Sequence, residues 1–261
     1  MAYTSKQTLP PSAFTPEERL LADRVLELLD TAQRRQTPKF TGFLDERQQA
    51  VVQSAVGSRQ GCGLYGGFAE AERRIFGALP DWMDPQDGTG YPVAGITVQF
   101  PAQFSLSHRD FLGALMHLGL KRDSIGDILV GEGVVVLFVR DTVQPLLLAE
   151  LVKVGRVGVK TAPGVPEQLP QAHRFEECSG TVSSLRLDAV AAFFIREGRE
   201  KAARLIRSGM VTVNGAVCES VSAQVQPGDK IAVRGHGKFV LQQVGARTKK
   251  ERLHITCLKY S

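Results

Sequence analysis

Residues 199–215 read Arg199-Glu-Lys-Ala-Ala-Arg-Leu-Ile-Arg-Ser-Gly-Met-Val-Thr-Val-Asn-Gly215, and two structural periods meet in them. At 100° per residue Ala202, Ala203, Leu205 and Ile206 share one arc of a helix. Lys201, Arg204, Arg207 and Ser208 share the opposite one. Gly209 supplies the helix stop. Val211-Thr-Val213 then alternates as a strand, and Asn214-Gly215 is the pair a type I′ hairpin turn demands. A short amphipathic helix with one basic face therefore runs straight into a tight hairpin. Such a face, with a small hydroxyl beside its cations, suits phosphate: each cation releases counterions and the serine can bond a phosphate oxygen.

Immediately upstream, Thr181 to Ile195 reads as a first helix, separated from the second by Arg196-Glu-Gly198. Downstream, Pro227-Gly-Asp229 is a turn before the strand Lys230–Arg234, and Gly235-His-Gly237 keeps the backbone open between Arg234 and Lys238. Residues 181–261 thus form a C-terminal unit. Residues 182–261 hold 14 Lys and Arg against 6 Asp and Glu, a net of +8, whereas residues 1–181 net −3. A basic unit on a nearly neutral body points to an acidic polymer, nucleic acid ahead of membrane.

Residues 163–180, with the proline-rich Pro163-Gly-Val-Pro-Glu-Gln-Leu-Pro170, read as a linker. Residues 91–162 read strand, helix, hairpin, helix, strand: Val93–Phe100, a helix His108–Leu118 capped by Ser107, Asp127–Val130 and Val134–Val139 around Gly131-Glu-Gly133, a helix through Leu151, and a last strand Gly155–Lys160. That order is the βαββαβ plait of RNA-recognition-motif domains. The strand Val134–Val139 offers only Phe138 as a stacking aromatic, so this plait is expected to act as scaffold or protein contact. Residues 1–90 read as a mainly helical N-terminal unit. Residues 1–13 form a loose arm, Thr15-Pro-Glu-Glu18 and Asp45-x-x-Gln48 are capping boxes, and Ala69–Ala78 is expected to be helical. The fold class is α+β.

Other functions lack their residues. His108-Arg-Asp110 resembles the start of a kinase catalytic loop, but Leu115 stands where asparagine is required. Gly61–Gly67 matches no phosphate-binding loop. His117 is expected to be packed or capping. Neither the histidines nor Cys62, Cys178, Cys218 and Cys257 have metal-ligand spacing, so no metal or cofactor is expected and the thiols are expected to be reduced, most of them buried. No apolar run approaches the roughly 20 residues of a membrane span, and no signal peptide opens the chain. A cytoplasmic, non-membrane protein is expected. Arg73, Arg74, Arg109, Lys121 and Arg122 are candidates for a second basic patch.

The C-terminal segment resembles the RNA-binding domain first described in ribosomal protein S-four. Arg186-Leu-Asp188, Arg199-x-Lys-Ala202, Ile206-Arg-Ser-Gly209, Val211-x-Val-Asn-Gly215 and Pro227-Gly-Asp229 carry the likeness. The resemblance implies RNA contacts from Arg186, Arg199, Lys201, Arg204 and Ser208, with Asn214 at the hairpin and Asp188 as an orienting partner. Ser184, Arg207, Arg234 and Lys238 complete the candidate RNA-binding set. His236, between its glycines, is a candidate for RNA contact and not for chemistry. One departure is Gly198-Arg-Glu-Lys201, where the family often has Ser-Arg-Ser-Lys.

Over most of the chain the sequence also resembles the bacterial YlmH family. The likeness lies in Gly66-Gly-Phe-Ala-Glu-Ala-Glu-Arg-Arg74, Ser107-His-Arg-Asp-Phe-Leu-Gly-Ala-Leu115, Lys121-Arg-Asp-Ser-Ile-Gly-Asp-Ile128 and Val154-Gly-Arg-Val157. That resemblance implies a non-enzymatic protein binding structured ribosomal RNA, and transfer RNA as a further candidate. Its place would be the large ribosomal subunit still carrying peptidyl-tRNA, with protein factors of ribosome-associated quality control as partners. Two rival classes remain: an RNA-modifying enzyme (pseudouridine synthase or methyltransferase type), for which residues 1–165 show neither an Asp-bearing catalytic motif nor a nucleotide site, and a division-linked membrane-surface adaptor, for which no basic amphipathic helix with exposed aromatics is present.

Overall fold

The computed structural model describes residues 14–85, 87–170, 175–248 and 251–260. The expected arm 1–13 lies outside them. The chain divides into two compact units, Gln7–Ala172 and a C-terminal one from His173 to Ser261.

The first unit opens with α1 (Pro16–Arg35), β1 (Lys39–Leu44), α2 (Glu46–Val56), β2 (Cys62–Tyr65) and β3 (Arg74–Ala78). Both expected capping boxes form: the Thr15 and Asp45 side chains accept from the backbone N–H groups of Glu18 and Gln48, whose side chains reach back to the caps. Glu18 also pairs with Arg47 of α2 at 2.7 Å, fastening the two helices. Val25, Leu29 and Ala32 of α1 pack with Val52 and Val56 of α2 on Phe76 and Ala78 of β3. The segment is less helical than its composition suggests. Three strands form an antiparallel sheet ordered β1-β3-β2, and residues 74–78, expected as helix, are its central strand. Asp127 accepts from the N–H groups of Glu72 (2.6 Å) and Arg73 (3.0 Å), which stops a helix there and delivers Ile75–Ala78 to the sheet.

The plait follows as β4 (Val93–Gln99), α3 (His108–His117), β5 (Ile125–Val130), β6 (Val134–Arg140), α4 (Gln144–Glu150), the two-residue strands β7 (Lys153–Val154) and β8 (Val157–Gly158), and β9 (Lys160–Pro163). Its antiparallel sheet runs β5-β6-β4-β9. The fourth strand comes later than expected. Gly155, at φ 59°, folds the chain into the β7-β8 hairpin first, and β9 then pairs Lys160–Pro163 with β4. His117 is exposed, not packed.

Strand β6 is apolar on both faces because both are covered. Val135, Leu137 and Val139 join Phe111 and Leu115 of α3 and Leu147 of α4. On the opposite face Val136 and Phe138 join Leu129 and meet Phe68 and Leu169, with the Phe68 and Phe138 rings stacked at 4.8 Å. Gly67, at φ 102°, lies so close to Phe138 that any side chain there would strike the ring. The face that an RNA-recognition motif uses for base stacking is therefore occupied by the chain itself.

Arg73 completes this join by donating to the carbonyls of Ile125 (2.9 Å), Phe43 (3.0 Å) and Arg122 (3.1 Å). Burial, with Arg122 nearby, pulls its pKa down to about 10. Two of the sequence stretches singled out above, 66–74 and 121–128, thus meet as one interface.

The C-terminal unit contains β10 (Phe175–Val182), α5 (Leu187–Ile195), α6 (Arg199–Arg207), β11 (Val211–Val213), β12 (Ala216–Val217), β13 (Lys230–Val233), β14 (Gly237–Arg247) and β15 (Leu253–Tyr260). Its sheet is ordered β10-β15-β14-β13-β11-β12. The edge strand β10 takes up residues 175–180, read from sequence as linker. Leu187, Val190 and Ala191 of α5 and Ala202 and Ile206 of α6 bury against Ile231, Phe239, Leu241 and Ile255 of the sheet.

Candidate nucleic-acid interface

The burial pattern of α6 separates as the periodicity requires. Ala202 and Ile206 are buried, while Lys201, Arg204, Arg207 and Ser208 are exposed along one face. Arg204 and Arg207 lie in the last turn of the helix, where its dipole is negative, so they sit favourably without carboxylate partners. Arg204 and Arg207 have no ion pair among the described residues. Lys201 differs: its Nζ pairs with Glu197 at 2.6 Å, and that contact holds the Glu197 carboxyl below its ordinary range. Ser208 donates its hydroxyl to the Leu205 carbonyl at 3.0 Å, leaving its oxygen outward as an acceptor.

Arg199 has a different role from the rest of the stripe. Its helical angle puts it with the inward arc, and its Nη2 donates to Asp188 Oδ2 of α5 at 2.6 Å. Arg186, at the N-cap of α5, donates to the same carboxylate from Nε at 3.2 Å and Nη2 at 3.4 Å. Asp188 is buried beneath both guanidinium groups. Burial pushes its carboxyl up, but the hydrogen bonds and charges of Arg186 and Arg199 outweigh that and hold it below the usual carboxylate range. One carboxylate therefore fixes two cations that remain partly exposed, 38% and 50% of their side-chain surface. Ser183 accepts from Arg199 at 3.5 Å, and Ser184 is partly buried in the same approach to α5.

At the hairpin, Asn214 (φ 51°) and Gly215 (φ 79°) adopt the two positive φ angles of a type I′ turn. The Asn214 amide is used within the fold. Its Nδ2 donates to Asp229 Oδ1 and its Oδ1 accepts from the Lys230 N–H, both at 2.9 Å. This tether joins the hairpin to the Pro227-Gly-Asp229 turn. Arg234 is exposed after β13, with Nη1 4.0 Å from the Met210 sulfur, and Lys238 places Nζ 4.7 Å from the Tyr260 ring centroid, a cation–π contact.

The five residues considered as a second basic patch do not serve as one. Arg73 and Arg122 donate to buried carbonyls, and Arg74 donates to those of Ala71 and Ala69; Arg109 and Lys121 stay exposed. Ser107 and Asp110 form a capping box at the start of α3, which gives His108-Arg-Asp110 a structural account. Among the described residues no group of His, Cys, Asp and Glu could hold a metal ion, and no helix is long and apolar enough to cross a membrane. Cys257 is buried, the other three cysteines are partly buried, and all four are free.

A helix pair with an exposed cationic face, running into a hairpin and backed by a sheet, defines a protein of the S4-domain, RNA-binding class. Residues 185–231 match the S4 domain model, and residues 86–164 match the model described as "Putative RNA-binding domain in YlmH". The chain is 34% identical over 246 residues to the ribosome-associated protein quality control protein P2 of Bacillus subtilis (strain 168), covering 93% of this chain and 95% of that protein. The cell division protein ylmH from Streptococcus pneumoniae superposes with a TM-score of 0.49 at 23% identity, over 58% of this chain and 93% of that one. The chain belongs to the YlmH family of RNA-binding proteins and carries a C-terminal S4 domain.

Proposed function

We propose that this protein is a non-enzymatic RNA-binding factor of the cytoplasm that engages structured ribosomal RNA on the large ribosomal subunit while peptidyl-tRNA is still bound, in ribosome-associated quality control. The observation that carries the reading is the α6 face. Arg204 and Arg207 point outward unpaired among the described residues, on a helix whose other side is locked into the core. The relative's name supplies the ribosomal setting. The mechanism is positional: phosphates and RNA shape select the site, and no bond is made or broken. Lys201, Arg204, Arg207 and Ser208 supply phosphate contacts, Arg186 and Arg199 are presented by Asp188, and Arg234 and Lys238 extend the surface toward the sheet. Ser184 and Asn214 shape its borders.

Gradient sedimentation of lysate at moderate salt tests this. Wild type is expected to travel with large subunits and the Arg204→Glu/Arg207→Glu variant to stay at the top. Wild type at the top, under conditions that accumulate obstructed subunits, would remove the ribosomal assignment.

A further inference from the structure

A cleft of about 600 Å³ opens between β10 and the α5–α6 turn, within the C-terminal unit. Its wall carries the one residue of α5 that is not buried, Phe193. The ring rests on β10 at Gly180, where a side chain would collide with it, so the strand is bare backbone at that point. Arg196, Arg199 and Arg252 surround the same cleft. Arg196 caps α5 with a left-handed backbone (φ 55°), which turns its side chain out of the helix path. Arg252 is held in place by donating to Thr181, to Oγ1 at 3.0 Å and to the carbonyl at 2.6 Å. Neither Arg196 nor Arg252 has a carboxylate partner among the described residues. Of the two carboxylates in the lining, Glu197 pairs with Lys201, and Glu176 stands opposite Lys259 in the β10–β15 register.

An aromatic ring at the wall of a cleft, beside two guanidinium groups, Arg196 and Arg252, that have no carboxylate partner among the described residues, matches the two parts of a nucleotide: a base that stacks and a phosphate that is bonded by cations. Arg199 lines this cleft and is the first residue of α6, so the cleft adjoins the helix that carries the basic stripe. Resting on the RNA-binding reading above, we infer that the cleft takes a single unstacked nucleotide of the bound RNA. The base lies against Phe193 and the phosphate between Arg196 and Arg252. The S4 unit then reads a bulge or junction as well as backbone charge.

The full-length protein would be titrated with two RNA hairpins, identical except that one carries a single bulged 2-aminopurine. The bulged hairpin is expected to bind tighter by roughly 5- to 100-fold, the range that base–aromatic stacking supplies, with 2-aminopurine emission falling on binding. Phe193→Leu is expected to abolish both the preference and the quench while leaving affinity for the paired hairpin. Arg196→Gln/Arg252→Gln is expected to reduce the preference as well, and carries the test should the Phe193 variant fail to fold. Equal affinity for the two hairpins, with unchanged emission, would overturn the cleft assignment and leave the basic face standing. Binding to neither hairpin would overturn the RNA reading and this inference with it. Quenching of the free 2-aminopurine ribonucleoside monophosphate at micromolar concentration would assign the cleft to a soluble nucleotide instead, and so also overturn it.

Discussion

Asp188 on α5 and Arg199 at the start of α6 are joined at 2.6 Å, and the same carboxylate also receives Arg186. Two helices and two candidate RNA-contacting cations are thus fixed by one buried acid. A guanidinium held this way reaches RNA with less conformational entropy to lose than a free one. The acid reduces the local charge and in return sets its geometry.

Asp188→Asn should destabilise the C-terminal unit by about 1–2 kcal/mol at neutral pH, the scale of charged hydrogen bonds shared with partly exposed partners. The pH dependence has a definite sign. The folded carboxyl lies below its ordinary value of 3.8, so its contribution is fully present above that value and is lost as pH falls through the lower folded one. Urea unfolding followed by amide exchange in α5 and α6 should show a gap between wild type and variant at pH 7 that closes at strongly acid pH. A gap independent of pH would mean that the charge is not what matters.

Asn214→Ala should cost about 1–2 kcal/mol, because it removes both tethers to the 229–230 turn and puts alanine at a positive φ. Asn214→Gly should fall between wild type and the alanine variant, since it restores the backbone freedom and not the tethers. In folded protein neither should change the salt dependence of RNA binding. A loss of RNA affinity in folded Asn214→Gly, at unchanged salt slope, would make Asn214 a direct RNA contact.

Local chemistry made much of this architecture legible. The capping boxes at Thr15 and Asp45, the plait order and the Asn214-Gly215 turn depend on residues near in sequence, and they form as read. The misreadings lie where distant partners decide. Residues 69–73 have helix-forming side chains, yet Asp127, more than fifty positions away, takes the N–H groups of Glu72 and Arg73. The long strands β14 and β15 were hard to see because their register shifts between Leu241 and Gln243 and again between Val244 and Arg247, breaking the period of two. In the candidate interface, the split of α6 into buried and exposed faces was visible in the periodicity. The inward angle of Arg199 was a signal in the same periodicity, and it points to Asp188 and not to the exposed stripe.

Gly67→Ala should destabilise the Gln7–Ala172 unit by about 3 kcal/mol, since it combines a strained positive φ with a clash against Phe138. For a unit of this size that corresponds to a fall in Tm of roughly 6–12 °C, measurable by calorimetry. RNA affinity of the C-terminal unit below that transition should be unchanged. An unaltered Tm would show that Phe68 and its glycine do not seal the plait.

The central claim is that α6 grips RNA through its exposed cations, and the salt dependence of binding tests it most directly. Labelled full-length protein would be titrated against purified large ribosomal subunits between 50 and 200 mM salt, as suggested by the range over which phosphate contacts dominate. The account predicts that Arg204→Glu/Arg207→Glu weakens binding and lowers the slope of log K against log salt by about two, near one for each lost phosphate contact. Equal affinity and equal slope in wild type and variant would contradict it, and would reduce the basic stripe to a solvated helix face.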